Sequence, residues 1–355
     1  MSSFHKLSRR AWLKQTSALG VVAASSNLLG CDDSLPPLPS DLPTDPYTGA
    51  PGPATLFAHG VASGDPLEDG FVIWTRVTPE DLSGTVEVFY EVALDAEFVD
   101  RVDAGTVMTG AVVDFTAKLD VRGLVWGRDY YYRFSALGRT SMVGRARCAP
   151  TGGEAKALRF AVTSCASLAH GHFHVYRRIA EREDLDAVLH LGDYLYEYGT
   201  GEYGSVREYE PAHEIVTLAD YRTRHAQYRR DPDLQALHQQ HALIPIWDDH
   251  ESANDSYEDG AENHQPDTEG SWSARKQAAK QAYFEWMPIR DPGMQRIYRT
   301  LRYGNLADIV LLDTRLEGRD VQLDSTSELP GEDASRSLLG AEQEAWLDGE
   351  LAQSQ

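Results

Sequence analysis

The fold is decided by residues 158–197, which read LRFAVTSCASLAHGHFHVYRRIAEREDLDAVLHLGDYLYE. Two apolar runs, at 158–165 and 186–191, flank a segment at 172–182 whose apolar positions recur at helical spacing. Apolar runs of this length are typical of buried strands. The order strand, helix, strand predicts a β-α-β unit and therefore a layered α/β domain.

The same alternation continues along the chain. Periodicity predicts one helix over residues 221–240 and another over 273–287, and apolar runs predict strands at 242–247 and 306–312. In α/β domains, functional groups gather at the carboxyl ends of the strands. These ends are therefore the expected place for a site.

A different pattern covers residues 57–149. Short apolar runs rich in Val, Tyr and Phe alternate with turn residues, and helical periodicity is absent. The runs predict strands at 71–77, 85–94, 112–119 and 130–137, which is the signature of a small β-sandwich. Trp74 is expected in its core. Glycines in the segment that follows, up to residue 156, mark a linker to the α/β domain at 157–355.

The first 31 residues predict an export signal. Arg9 and Arg10, followed by Trp12 and Lys14, precede a small-residue apolar run, a pattern that resembles a twin-arginine signal. The alternative is that the two arginines are only the basic flank of an ordinary signal. Either interpretation predicts an exported protein, periplasmic or at the cell surface.

The signal ends at Leu28-Leu29-Gly30-Cys31, which resembles the lipobox of a bacterial lipoprotein and predicts a lipid on Cys31. Residues 32–56 contain seven prolines and predict an extended tether. Cys148 and Cys165 remain. An oxidising compartment permits a disulfide between them, but two cysteines in so long a chain are not a disulfide framework.

The composition excludes some classes of function. The chain has 355 residues and a formal net charge of −22, which excludes a nucleic-acid binder that works through a general basic surface. Hydrophobic residues make up 42%, as in ordinary globular proteins. After the leader, no run approaches the ~20 apolar residues of a membrane-spanning helix. Membrane attachment is therefore expected only through a peripheral contact or a lipid.

Three predicted strands end directly in polar residues. The first ends in Ser164-Cys165, the second in Gly192-Asp193-Tyr194-Leu195-Tyr196-Glu197, and the third in Asp248-Asp249-His250-Glu251. Carboxylate, imidazole, thiolate and phenolate groups are all metal ligands. Asp193 and Asp249 would repel each other in a dry cleft unless a proton or cation separated them. Two cations there would polarise a phosphoryl group and supply hydroxide near neutral pH, so the pattern predicts two-metal hydrolysis of phosphoesters.

These motifs resemble the PhoD-type alkaline phosphatases, a branch of the calcineurin-like metallophosphoesterases. The resemblance runs from about Phe57 to the last residue. It rests on ordered motifs, which are His59-Gly60-Val61-Ala62-Ser63-Gly64-Asp65-Pro66, Trp74-Thr75-Arg76, Ser164-Cys165, the helix with Gly171, His172, Phe173 and Tyr176, the two long strand-end motifs above, and Asp313-Thr314-Arg315.

The resemblance implies a four-layer α-β-β-α catalytic domain behind an immunoglobulin-like or fibronectin-like β-sandwich, with ferric iron and calcium as cofactors. It implies that Cys165 and Tyr196 are ligands of ferric iron and that Asp193 bridges the two metals. Asp249 stands where related enzymes use a metal-binding Asn. His250 would stabilise the phosphoryl group or protonate the leaving oxygen.

Two weaker assignments also come from the resemblance. Asn254 would bind calcium, and Arg315 would clamp phosphate oxygens. A salt bridge between Arg315 and Glu317 is an equal alternative to the clamp.

Structural roles remain open for the other residues. Cys165 is alternatively a small buried hydrophobe, Asp193 a capping residue, Tyr196 a core aromatic and His250 a structural histidine. Three further histidines open the helix and are expected to be surface and packing residues. They are His170, His172 and His174.

The family pattern continues past Leu347 with more strands and a Gly-Asp-x-His segment. Nothing like that segment occurs between Gly318 and Gln355, so the chain resembles the first two thirds of the enzyme, with the last strands missing. The expected function is hydrolysis of small phosphate esters after twin-arginine export. The alternatives are a phosphodiesterase or phospholipase D-type activity at the same site, and an inactive fragment that acts as a surface lipoprotein binding module.

Overall fold

The computed structural model describes residues 38–153, 155–291, 296–323 and 335–354. The predicted leader, Cys31 and the first part of the tether lie outside the described residues. The strands are β1 Val61–Leu67, β2 Gly70–Arg76, β3 Thr85–Ala93, β4 Arg101–Gly110, β5 Thr116–Arg122, β6 Tyr130–Ala136, β7 Arg139–Thr140, β8 Gly144–Ala146, β9 Phe160–Thr163, β10 Ala187–His190, β11 Ala242–Pro245, β12 Arg299–Tyr303 and β13 Ala307–Leu311. The helices are α1 His174–Ala180, α2 Leu218–Tyr228, α3 Pro232–Gln240, α4 Pro266–Glu269, α5 Trp272–Trp286 and α6 Gly340–Gln353.

The strands β9, β10 and β11 are parallel neighbours, as the alternating pattern predicts. Side chains on successive strand residues point to opposite faces of the sheet. Val188 and Leu243 accordingly pack among the helices α1, α2, α3 and α5. Ala187 and Ile244 pack on the other face, against the β12–β13 hairpin. The helix α6 lies next to this hairpin, where the rings of Tyr298 and Trp346 are 4.8 Å apart.

The N-terminal strands form two antiparallel sheets with a shared core. The strands β2 and β5 pair on one side, and β3, β4, β6, β7 and β8 form the other sheet. Phe71, Val88 and Phe134 pack between them. The mixed α/β fold preceded by a β-rich region is therefore confirmed. The first sheet contains strands from both sides of the linker, because β1 pairs in parallel with β11. Ser63 lies opposite Ala242 in this pair.

Two predicted elements are wrong in detail. The helix predicted over 221–240 is two helices, because Asp231 caps α3 by accepting bonds from Asp233 N and Leu234 N, and the following Pro232 has no N–H to continue α2. The strand predicted at 112–119 begins only at Thr116, because a 3-10 turn precedes it. Cys148 and Cys165 are free, so the permitted disulfide does not form. In the described ranges, no helix is long and apolar enough to cross a bilayer.

Five buried histidines have lowered pKa values. They are His59, His190, His225, His238 and His241. Burial lowers the pKa of His190 to about 3, and burial together with the charge of Arg229 lowers that of His225 to about 3. Burial likewise lowers the pKa of His241 to about 4. The native protein therefore holds these rings neutral at pH values where an unfolded chain protonates them.

This difference predicts a specific acid sensitivity. As the pH falls below about 6.5, these histidines bind protons in the unfolded chain but stay neutral in the native state. The free energy of unfolding therefore decreases toward pH 4. Urea unfolding at several pH values measures the slope, to which these five rings should contribute uptake of roughly five protons near pH 5. Above pH 7.5 these rings are neutral in both states and add no slope. A slope that corresponds to uptake of less than one proton on unfolding near pH 5 would contradict this account of the core.

Candidate metal centre

The ends of β9, β10 and β11 lie side by side and are joined by backbone hydrogen bonds. Cys165 N donates to Gly192 O at 3.1 Å, and Ala166 N donates to Asp193 O at 2.8 Å. Cys165 and Asp193 both have positive φ, 57° and 53°. Such conformations are uncommon for residues other than glycine and are found most often at functional sites.

Gly192 permits the close approach of β10 and β11. Its φ is 105°, and a Cβ atom there would lie 2.4 Å from the backbone nitrogen of Asp248. Any larger residue would push the Asp248-Asp249 segment away from Asp193. The glycine is therefore a steric requirement of the site.

The structure brings five of the predicted site residues together. We call Cys165, Asp193, Tyr196, Asp249 and His250 the rim cluster. Tyr196 Oη donates to Asp193 Oδ2 at 3.2 Å, and the Cys165 thiol is near enough to Asp193 to lower its pKa. One ligand atom each from Asp193, Asp249 and His250 lie within 4.8 Å of one another. These three atoms offer oxygen and nitrogen ligands close to one point, and the Tyr196 phenol and the Cys165 thiol flank Asp193.

The carboxylates of the rim cluster are poorly solvated. Burial raises the pKa of Asp193 and of Asp249, although the charge of His250 acts in the opposite direction on both. Asp193 Oδ1 is buried and has no hydrogen-bond partner. Burial and the charge of Asp193 raise the pKa of Tyr196 as well. An unpartnered carboxylate oxygen beside a thiol and a phenol fits a metal cation, which would supply the missing partner.

His250 is held by a residue that the sequence analysis gave no role. Its Nδ1 lies 2.7 Å from Glu197 Oε2. Burial disfavours the charged ring, but the hydrogen bond and charge of Glu197 outweigh it and raise the pKa of His250 to about 9. Glu197 is fully buried and also accepts bonds from Asn254 N and Asn263 Nδ2. It therefore fixes the ring orientation of His250.

Glu251 is a second residue whose role was missed. Its Oε1 accepts from Tyr194 N at 2.6 Å and its Oε2 from Asp248 N at 2.9 Å, so one carboxyl joins the ends of β10 and β11. Burial and the charge of Asp193 raise its pKa to about 8. Both glutamates stand inside the strand-end motifs, but only the three-dimensional arrangement shows what each one bonds.

The two weaker candidates have other contacts. Asn254 Nδ2 donates to Glu262 Oε2 at 3.0 Å. Arg315 Nε lies 2.6 Å from Asp248 Oδ1, and its Nη2 lies 3.6 Å from Asp249 Oδ1. The alternative pairing of Arg315 with Glu317 is wrong, because Glu317 pairs with Lys280.

Other expected side-chain positions have mixed outcomes. The three histidines at the start of the α1 region, His170, His172 and His174, are exposed, as expected. Trp74 is fully buried, but it packs against Trp286 of α5 and not in the core of the β-sandwich. Cys165, in contrast, is exposed, so it is not a small buried hydrophobe.

Family models match nearly all of the described chain. The model for PhoD-like phosphatases matches residues 160–355, and the model for the N-terminal domain of these enzymes matches residues 45–150. The chain belongs to the PhoD-like phosphatase family. The family resemblance proposed from the motifs is thereby confirmed.

Two individual proteins show the same relationship. The chain is 42% identical over 319 residues to alkaline phosphatase D of Bacillus subtilis (strain 168), which covers 84% of this chain and 54% of that protein. A solved structure of PhoD superposes with a TM-score of 0.76 at 40% identity, and covers 87% of this chain and 62% of that one. The chain therefore spans between about half and two thirds of the length of these relatives.

The contact between Gly192 and Asp248 leads to a mutational prediction. We expect Gly192→Ala to lose about 1–2 kcal/mol from the positive φ and a further ~1–3 kcal/mol from the clash with Asp248. Gly270→Ala is a matched control, because Gly270 also has a positive φ, 84°, but has no atom within 4 Å of the added Cβ. Urea unfolding of both variants measures the difference. Equal losses in the two variants would show that Asp248 moves aside without cost.

Proposed function

We propose that this chain hydrolyses phosphate esters with metal ions bound at the rim cluster. The observation that carries the proposal is the convergence of Cys165, Asp193, Tyr196, Asp249 and His250 at three adjacent strand ends. Membership of the PhoD-like phosphatase family supports the reaction class. The name of the Bacillus subtilis relative, alkaline phosphatase D, supports phosphate monoesters as substrates.

The ligand set favours two different ions. We propose that Cys165, Asp193 and Tyr196 hold ferric iron, and that Asp249 and Asn254 bind calcium. The unpartnered Asp193 Oδ1 and the thiol and phenol beside it support the first assignment. Calcium prefers oxygen ligands such as those of Asp249 and Asn254. When bound, these ions supply positive charge that polarises the phosphoryl group and favours ionisation of water.

The side chains of the protein perform the remaining tasks. Glu197 accepts from His250 Nδ1, so His250 Nε2 is the ring atom available to stabilise the phosphoryl group or to give a proton to the leaving oxygen. Arg315 is engaged with Asp248 and Asp249. We therefore assign it to positioning the Asp248-Asp249 segment, and a phosphate clamp would require it to leave these partners.

The net charge of −22 argues against nucleic acid as a partner. It also gives no long-range attraction for anionic phosphate esters, so positive charge at the site itself would have to attract them. For localisation, we propose export by the twin-arginine machinery, with the lipid on Cys31 as the membrane attachment. The Arg9-Arg10 pair and the Leu28-Leu29-Gly30-Cys31 motif support this, and both lie outside the described residues. Twin-arginine export carries folded proteins, so metals would bind before export.

A direct assay tests the proposed activity. We expect the chain from residue 32 onward to hydrolyse p-nitrophenyl phosphate at alkaline pH with iron and calcium, and Asp193→Ala to lose both turnover and bound metal. Asp348→Ala removes an exposed carboxylate on α6 and is the matched control. Folded protein that binds metal but never turns over phosphoesters would refute the activity and leave a binding role.

The iron assignment predicts a colour. Thiolate and phenolate bound to ferric iron give a visible charge-transfer band, which Tyr196→Phe should shift or remove. Tyr198→Phe is the control, because this neighbouring ring, centred 5.5 Å from the ring of His250, is not a proposed ligand. Visible absorption and metal analysis of the same samples decide the point. A colourless wild-type protein that contains iron would rule out these ligands.

A further inference from the structure

Arg229 is a buried cation without a counter-ion in the described chain. It is 1% exposed, and its Nε, Nη1 and Nη2 atoms are buried without a well-formed hydrogen bond. The neighbouring Tyr194 hydroxyl is neutral and does not balance the charge. No carboxylate of the described residues forms a salt bridge with it. Burying an unpaired charge is strongly unfavourable. The fold must therefore provide some compensation that the protein side chains alone do not supply.

Aromatic rings provide part of the compensation. The Arg229 guanidinium lies over the ring of Trp74, with Cζ 4.1 Å from the ring centroid. Trp74 packs against Trp286, which also contacts the rings of His59 and His225. A cation over an aromatic face is stabilised, but the ring carries no net charge. The positive charge of Arg229 thus remains unneutralised.

The polar groups around Arg229 share one property. Four of their atoms are buried and unpartnered, namely His59 Nδ1, Tyr132 Oη, His225 Nδ1 and His238 Nδ1. We call these four residues together with Arg229 the Arg229 cluster. Burial lowers the pKa of the three histidines, and the charge of Arg229 acts in the same direction. Burial raises the pKa of Tyr132, and the charge of Arg229 acts against it. The hydroxyl and ring nitrogens can donate hydrogen bonds.

Charge balance determines what the cluster can hold. Burial and the charges of Arg76 and Arg229 lower the pKa of His59 to about 3, so this ring is neutral near pH 7. His225 and His238 are also neutral, because burial and the charge of Arg229 lower their pKa values. The cluster therefore carries a single positive charge, and one negative charge balances it.

We propose that the Arg229 cluster binds a monovalent inorganic anion, for which chloride is the probe. The anion accepts hydrogen bonds from the guanidinium and from the unpartnered donors, and it neutralises the charge that Trp74 only shields. Ordered water would satisfy the donors but would leave the charge unbalanced. Trp74 belongs to β2 and Arg229 follows α2, so the site joins the N-terminal strands to the helix layer. This site is separate from the rim cluster, and its occupancy does not depend on the proposed activity.

Two measurements on the full chain test this proposal together. In crystals grown with bromide in place of chloride, we expect an anomalous peak next to the Arg229 guanidinium. In solution, we expect the melting temperature to rise by about 2 °C or more between 1 and 200 mM chloride, with methanesulfonate keeping the ionic strength constant.

Variants locate the effect at Arg229. Arg229→Met should abolish the chloride dependence, and Arg229→Lys, which keeps the charge, should retain part of it. Arg178→Met is the control, because the Arg178 side chain is 80% exposed and pairs with Glu181. If Arg229→Met fails to fold, the wild-type measurements still decide. The absence of a bromide peak at Arg229, or a peak without chloride-dependent stability, overturns the proposal.

Discussion

The close approach of β10 and β11 is the constraint on which the candidate metal centre depends. Gly192 allows the two strand ends to pass with no side chain between them, and the Glu251 carboxyl joins them through Tyr194 N and Asp248 N. This arrangement brings Asp193 and Asp249 together in a poorly solvated place, where burial disfavours their ionised forms. A nearby positive charge would stabilise both carboxylates. The ligand geometry is thus a consequence of backbone packing.

Two cationic groups, Arg315 and His250, share the charge compensation around the site. Arg315 neutralises the outer side of the Asp248-Asp249 segment, and His250 lies beside Asp193 and Asp249 with Glu197 behind it. Asp193 Oδ1 has no partner among these groups. The remaining negative charge is concentrated where the thiol of Cys165 and the phenol of Tyr196 also lie, which is the chemical basis for the metal site proposed there.

The N-terminal region supports the α/β domain directly. β1 extends the sheet of β11, and the buried Asp65 accepts bonds from Arg299 Nη2 at 2.8 Å and Arg290 N at 2.9 Å. Asp65 therefore connects β1 to β12 through a buried ion pair. Trp74 makes a second contact with the α/β domain, because its Nε1 donates to Glu285 O in α5 at 2.8 Å. Both residues stand in motifs that the sequence offered only as family similarities, and their contacts give these motifs a structural reason.

Local patterns in the sequence determined the strands β9, β10 and β11, the helix before β10 and the presence of candidate metal ligands at the strand ends. These features depend on apolar periodicity and on the polar residues that interrupt it, and both signals involve residues close together in the chain. The prediction of one helix over 221–240 overlooked the local capping signal Asp231-Pro232, which separates α2 from α3. Other features depended on residues far apart in the chain. Only the tertiary structure decided that Glu197 holds His250, that Arg315 pairs with Asp248, that β1 continues the sheet and that Arg229 is buried without a carboxylate. Each of these depends on which distant side chains the packed fold brings within hydrogen-bond distance, and a spacing along the chain does not contain that information.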